Sequence, residues 1–122
     1  MVAEKFKDLL PQEWPLFIGE LPSTKETAVS IMEYDGATST EYFGGPVQSI
    51  FNPIVKIVIR HPSYSEGKSW ADEVKDTLHR YHDVGDSAYI LSCLMVGVPM
   101  YLGRNEQKLH EFQITFNISI KE

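Results

Sequence analysis

Hydrophobic and polar positions alternate strictly in "HEFQITFNISI", residues 110–120. Phe112, Ile114, Phe116, Ile118 and Ile120 take one parity, and Gln113, Thr115, Asn117 and Ser119 the other. Side chains on a strand point alternately to its two faces, so this is a half-buried strand with the five apolar residues on its core face. "ETAVSIMEY" repeats the pattern, with Val29 and Ile31 on one face and Ser30 and Met32 on the other. "PIVKIVIRH" does so with Val55, Ile57 and Ile59. "SAYILSCLMVG" is apolar throughout and of strand length, which predicts a central strand of the sheet. "PMYLGR" and "HEFQITFNISIKE" form a hairpin around a polar turn.

The period changes to helical in "HPSYSEGKSWADEVKDTLHRYHDVGD". Trp70, Val74, Leu78 and Tyr81 fall on one stripe, Ser63 and Glu66 have capping-box spacing, and Gly85 is the expected stop. "VAEKFKDLL" is a short amphipathic helix with Phe6, Leu9 and Leu10 on one side, ended by Pro11. "PQEWPLFIGELP" is bracketed by prolines and reads as irregular chain or a brief helical turn. Residues 35–52 are rich in Gly, Ser, Thr, Pro and Asn and read as a long loop. Together these elements predict an α+β fold. Its sheet is mostly antiparallel and four- to five-stranded, with one long helix packed on one face and a short N-terminal helix.

Composition narrows the function classes. The 122 residues are 43% hydrophobic and 23% charged, ordinary values for a soluble globular chain, with a net charge of −6. Nucleic-acid binders draw affinity from a basic surplus, so sequence-specific nucleic-acid binding is not expected. No apolar stretch approaches the roughly 18 residues needed to cross a bilayer, so no membrane partner is expected. "MVAEKFKDLL" lacks the apolar core of a signal peptide, which predicts folding in a reducing cytoplasm. The single cysteine, Cys93, lies in the apolar run and reads as a small buried hydrophobe.

The richest chemistry is in "LGRNEQKLHEFQITFN", which holds Arg104, Glu106, His110 and Glu111. Strand parity sends His110 and Glu111 to opposite faces, and Arg104 and Glu106 fall in the turn. A solvated hairpin tip or a partner-binding tip explains them better than a catalytic site. His79 and His82 are three apart on the predicted helix, near Asp76 and Asp83, but zinc needs further ligands. His61, before Pro62 at a strand end, reads as structural. There is no GxSxG, HExxH, Walker or GxGxxG pattern. No catalytic residue, metal site or cofactor is assigned.

The C-terminal stretch "VPMYLGRNEQKLHEFQITFNISIKE" resembles the end of a family of small proteins of long-tailed phages and prophages. They are identified as minor capsid proteins and are similar to tail terminators and head–tail joining proteins. The family pattern is a Pro, then a GR(D/N)E turn, then an EF…NF strand. Here it is carried by Pro99, by Gly103, Arg104, Asn105 and Glu106, by Glu111 and Phe112, and by Phe116 and Asn117 in reversed order. "VKIVIRHPSYSEGKSWADEVKDTL" is similar to the family's strand ending in Arg and leading into a helix that begins Ser-Tyr, so the resemblance covers residues 28–121. It implies one tail-terminator-like domain over residues 1–122 and no enzyme activity. The protein would close the tail tube as a homohexameric ring, monomeric in isolation or not, and join tail to head in the virion. Its partners would be itself, the tail tube protein and a head-completion protein. A head-completion or stopper protein of the neck, a small metal-dependent hydrolase using His79 and His82, and a host adaptor binding a peptide along a sheet edge remain the alternatives. Tyr42 and Phe43, side by side in the predicted loop, join Arg104 and Glu106 as candidate assembly-interface residues.

Overall fold

The computed structural model describes residues 2–20, 25–40, 50–81, 89–105 and 108–121. Helix α1 spans Val2–Leu9 and buries Phe6, followed by buried Leu10 and Trp14. The Gln12 side-chain amide donates to the Lys7 carbonyl at 2.8 Å and the Leu10 carbonyl at 2.8 Å. Those carbonyls lie where a helix runs out of its own N–H donors, so Gln12 caps α1.

The proline-bracketed stretch holds strand β1, Leu16–Ile18, which corrects the irregular or helical reading of the sequence. It runs parallel to Val29–Ile31 of β2, Ala28–Thr40. Three residues are too few to show a two-residue period. Pro15 lacks only an N–H, and its carbonyl still accepts from Val29 N–H at 2.9 Å. At the far end Gly19 N–H donates to the Ile31 carbonyl at 2.9 Å. Gly19 takes a φ of +103°, which glycine adopts without Cβ strain.

Strand β3, Ile50–His61, pairs antiparallel with β2 from Ala28↔Arg60 to Thr40↔Ile50. Within the predicted loop 35–52, residues 35–40 and 50–52 are therefore strand. Register shifts between Tyr34 and Ala37 and between Ala37 and Thr40 let this weakly patterned segment keep pairing. Beyond α2, Tyr64–Leu78, come β4, Tyr89–Met95, β5, Met100–Arg104, and β6, His110–Lys121. Among the described residues the sheet has six strands in the order β1-β2-β3-β6-β4, with β5 also on β6, which corrects the expected four to five strands by the addition of β1. Among the described strands only the β1–β2 pair is parallel.

Strand β3 takes one side of β6 along its length. Strands β4 and β5 follow one another along the other side, opposite Phe116–Lys121 and His110–Gln113. So β4 is an edge strand, not the central one its apolar run predicts. Cys93 is buried in the core while its neighbour Leu94 is exposed. The run is apolar on both faces, although among the described residues only one is covered.

Both helices pack on the same sheet face, over Val29, Ile31, Val55, Ile57, Ile59 and the Phe112–Ile118 series. The Phe6 ring meets Phe116 edge-on at 6.2 Å between centroids, and Trp14 stacks on Trp70 of α2 at 4.6 Å. By alternation the opposite face carries Met32, Lys56, Gln113, Thr115 and Asn117, and among the described residues no helix covers it.

The start of α2 matches the capping-box spacing in part. Ser63 is the N-cap and its hydroxyl accepts from Glu66 N–H. The Glu66 carboxylate turns instead to His61 Nε2 at 3.2 Å, and His61 Nδ1 accepts Ser63 N–H at 3.0 Å. The buried His61 is thus structural and serves the cap. The helix stops at Leu78, before the expected Gly85. Arg80 adopts φ +66° there and donates its N–H to the Cys93 carbonyl at 2.6 Å, tying the helix end to β4. A left-handed residue after the last turn is a common helix stop, and a non-glycine supplies it here. Tyr81 lies past the helix yet still packs against the core.

Candidate functional site

The hairpin tip that holds Arg104 is built by backbone demands. Asn105 N–H donates to the Leu109 carbonyl, its Oδ1 accepts Leu109 N–H, and its carbonyl accepts Lys108 N–H, each at 2.9 Å. This closes a tight turn between β5 and β6. Arg104 is exposed, in the last position of β5, opposite His110. Glu106, Tyr42 and Phe43 lie outside the described residues.

His110 and Glu111 do part to opposite faces. His110 Nδ1 is 2.8 Å from the Tyr101 hydroxyl, and Tyr64 packs edge-on against both rings. On the other face Glu111 Oε2 accepts from Arg60 Nε and Nη2, both at 3.2 Å, an ion pair bridging β3 and β6. His79 does not belong to the helix as the sequence predicts. It sits one residue past α2 and its Nδ1 accepts Met95 N–H at 3.0 Å, so it links the helix end to β4. His82 lies outside the described residues. Among the described residues no group of three His, Cys, Asp or Glu side chains could hold a metal ion. Burial pushes the Cys93 thiol up to about 12, so it stays neutral at physiological pH and is a poor nucleophile.

Sequence reading missed two surface features, at the two opposite edges of the sheet. The first is a ridge on β4, β5 and their connection. Leu94 is 49% exposed, Val96 48%, Val98 73%, Met100 57% and Leu102 47%. Every second residue from 94 to 102 is a large exposed hydrophobe. Residues 89–105 contain no acidic side chain and one cation, Arg104. Single exposed hydrophobes are ordinary, but a contiguous row marks a contact surface. The signal was present in the sequence as an apolar run whose two faces cannot both be core in an edge strand.

The second feature is a shallow pocket of about 410 Å³ at the β1–β2 edge, between Ile18, Glu20, Met32, Glu33 and Tyr34. Ile18 and Tyr34 are each nearly half exposed. The Lys56 ammonium lies 5.3 Å from the Tyr34 ring centre, which holds that ring over the open face of the sheet. Both features offer apolar contact at a strand edge. Neither places a nucleophile beside a base.

A family model described as "Bacteriophage tail terminator protein" matches residues 6–122. Among solved structures, a chain of the virion of a native gene transfer agent particle aligns with a TM-score of 0.65 at 11% identity, covering 96% of this chain and 84% of that one. At that identity the likeness is one of fold. Comparison with curated protein sequences finds no match.

Proposed function

The chain belongs to the bacteriophage tail terminator family, and from that premise we propose that it ends the growing tail tube as a ring and joins the tail to the head. The family match across residues 6–122 carries the reading, and it makes the protein a structural part of the phage tail. Three of the four histidines, His61, His79 and His110, are engaged in a helix cap, a helix-to-strand link and an aromatic cluster. Their roles are structural, which supports a non-enzymatic part. Assembly would take place in the host cytoplasm, with the tail tube protein on one side of the ring and a head-completion protein on the other.

Location on assembly intermediates separates this reading from a stopper that rides on the head. In a lysate blocked in capsid formation, free tails should carry the protein at one end. Finding it on filled, tailless heads and missing from free tails would overturn the proposal.

We also infer that the 35–50 segment, whose outer parts are strand, reaches a neighbouring subunit or the tail tube through Tyr42 and Phe43. Arg104 and Glu106 are proposed as the other contact. Aromatic side chains concentrate binding energy at interfaces. A Tyr42→Ser/Phe43→Ser protein should melt close to wild type and fail to restore joined particles to a deletion lysate. Normal joined particles from that variant would remove the pair from the contact.

A further inference from the structure

We propose that the two sheet edges are the two halves of one head-to-tail contact, in which the Leu94–Leu102 ridge of one copy seats against the β1–β2 edge of the next. The inference rests on the ring reading and names the surfaces that would build it.

Strand direction allows the contact. Strands β1 and β2 run one way, β3 the other, β6 with β2, and β4 and β5 with β3. Copies related by a rotation that preserves strand direction therefore bring β4 and β5 antiparallel to β1 and β2, the direction of an antiparallel ladder. Beyond Ile31, no described strand covers the outer edge of β2, and none covers the outer edges of β4 and β5. Open strand edges are natural templates for pairing with another chain.

The apolar residues at the two edges end the same rows of the sheet. One row runs Tyr34, Ile54, Asn117, Leu94, so the exposed Tyr34 and Leu94 stand at equal height on the face away from the helices. Another runs Ile18, Ile31, Ile57, Ile114. It reaches the far edge between Val96, whose N–H donates to the Thr115 carbonyl, and Met100, opposite Gln113. Val98, highly exposed, falls in that interval of the chain. Thus Ile18 and Val98 also match in height.

Charge agrees with this placement. Arg104 sits opposite His110, one row beyond the Ala28, Arg60, Glu111, Gly103 row. At the other edge Glu26, exposed, lies two residues before Ala28, beside Lys25. The pocket adds exposed Glu20 and Glu33, so this edge carries three carboxylates, Glu20, Glu26 and Glu33, with Lys25 and with Lys56 over Tyr34. The ridge side has Arg104 and Lys108 with Glu106 between them in sequence, a net positive charge, and residues 89–105 hold no carboxylate. Each copy carries both halves, so contacts of this kind propagate and close into a ring when the rotation divides a full turn.

The test is site-directed cross-linking at near-millimolar protein with a short bis-maleimide. The native thiol of Cys93 is buried and neutral and does not compete. A mixture of Leu94→Cys and Tyr34→Cys proteins should give a mixed dimer as the main product, well above either homodimer. The Val98→Cys and Ile18→Cys pair should behave alike. Asp72→Cys, on the exposed face of α2, gives the collisional background. All four edge positions are substantially exposed, and a thermal melt confirms folding of each variant. Homodimers as the main product, or mixed product at the Asp72→Cys level with both pairs, overturns the inference. Such a result leaves the tail-end assignment standing, because that assignment is read from location on free tails made with the unsubstituted protein.

Discussion

Phe116→Ala is expected to lower folding stability by about 3–5 kcal/mol, the range for truncating a buried aromatic ring. Phe116 is fully buried at the centre of β6, between Val55 of β3 and Met95 of β4. Its ring meets Phe6 edge-on, so it joins the sheet to α1 across the core. Alanine there would leave a cavity walled by elements from both ends of the chain. Rigid strands on either side limit how far the walls can relax, which favours the upper part of the range. For a chain of this size the melting temperature should fall on the order of 10–20 °C. Denaturant unfolding with an unchanged m-value would report the same loss as a shift in midpoint. A melt within a degree or two of wild type would contradict the packing described.

Much of that core was legible in the chain, because burial on one face writes a strict alternation. Phe112, Ile114, Phe116 and Ile118 all fall on the face their parity predicts, as do Val29, Ile31, Val55, Ile57 and Ile59. The Ser63 cap was legible for a similar reason, since it is local chemistry between residues three apart. Features set by distant partners were not. Strand β1 exists because Val29–Ile31 offers it a parallel edge. Helix α2 ends early because the Arg80 N–H finds the Cys93 carbonyl. His79 faces a backbone N–H of β4, not solvent. Gly67 reads as a helix-weakening residue, yet a Cβ there would stand 2.7 Å from Cε2 of Phe112. The close packing of α2 on β6 requires a glycine at that position.

The candidate site was legible only in part. Arg104 is the last residue of β5, paired with His110, one step short of the turn in which the sequence reading put it. The apolar ridge beside it was hidden by the inference that an apolar run must be central. Edge and centre differ by what pairs with the strand, and pairing partners lie far away in sequence.

The largest functional effect should come from removing the protein during phage assembly. A tail structural part that both stops the tube and offers the head its docking surface has two separable consequences when lost. Tube subunits would keep adding, because nothing occupies the terminal layer. Filled heads would find no complementary surface on the tail. On the proposed role neither head filling nor tube initiation would need the protein, so both intermediates should accumulate. The decisive measurement is electron microscopy of a lysate from a phage carrying a nonsense codon early in this gene. The account predicts DNA-filled heads and unattached tails of uneven, extended length, with joined particles restored when the intact chain is supplied from a plasmid. Joined particles with tails of normal length, made without the protein, would contradict it.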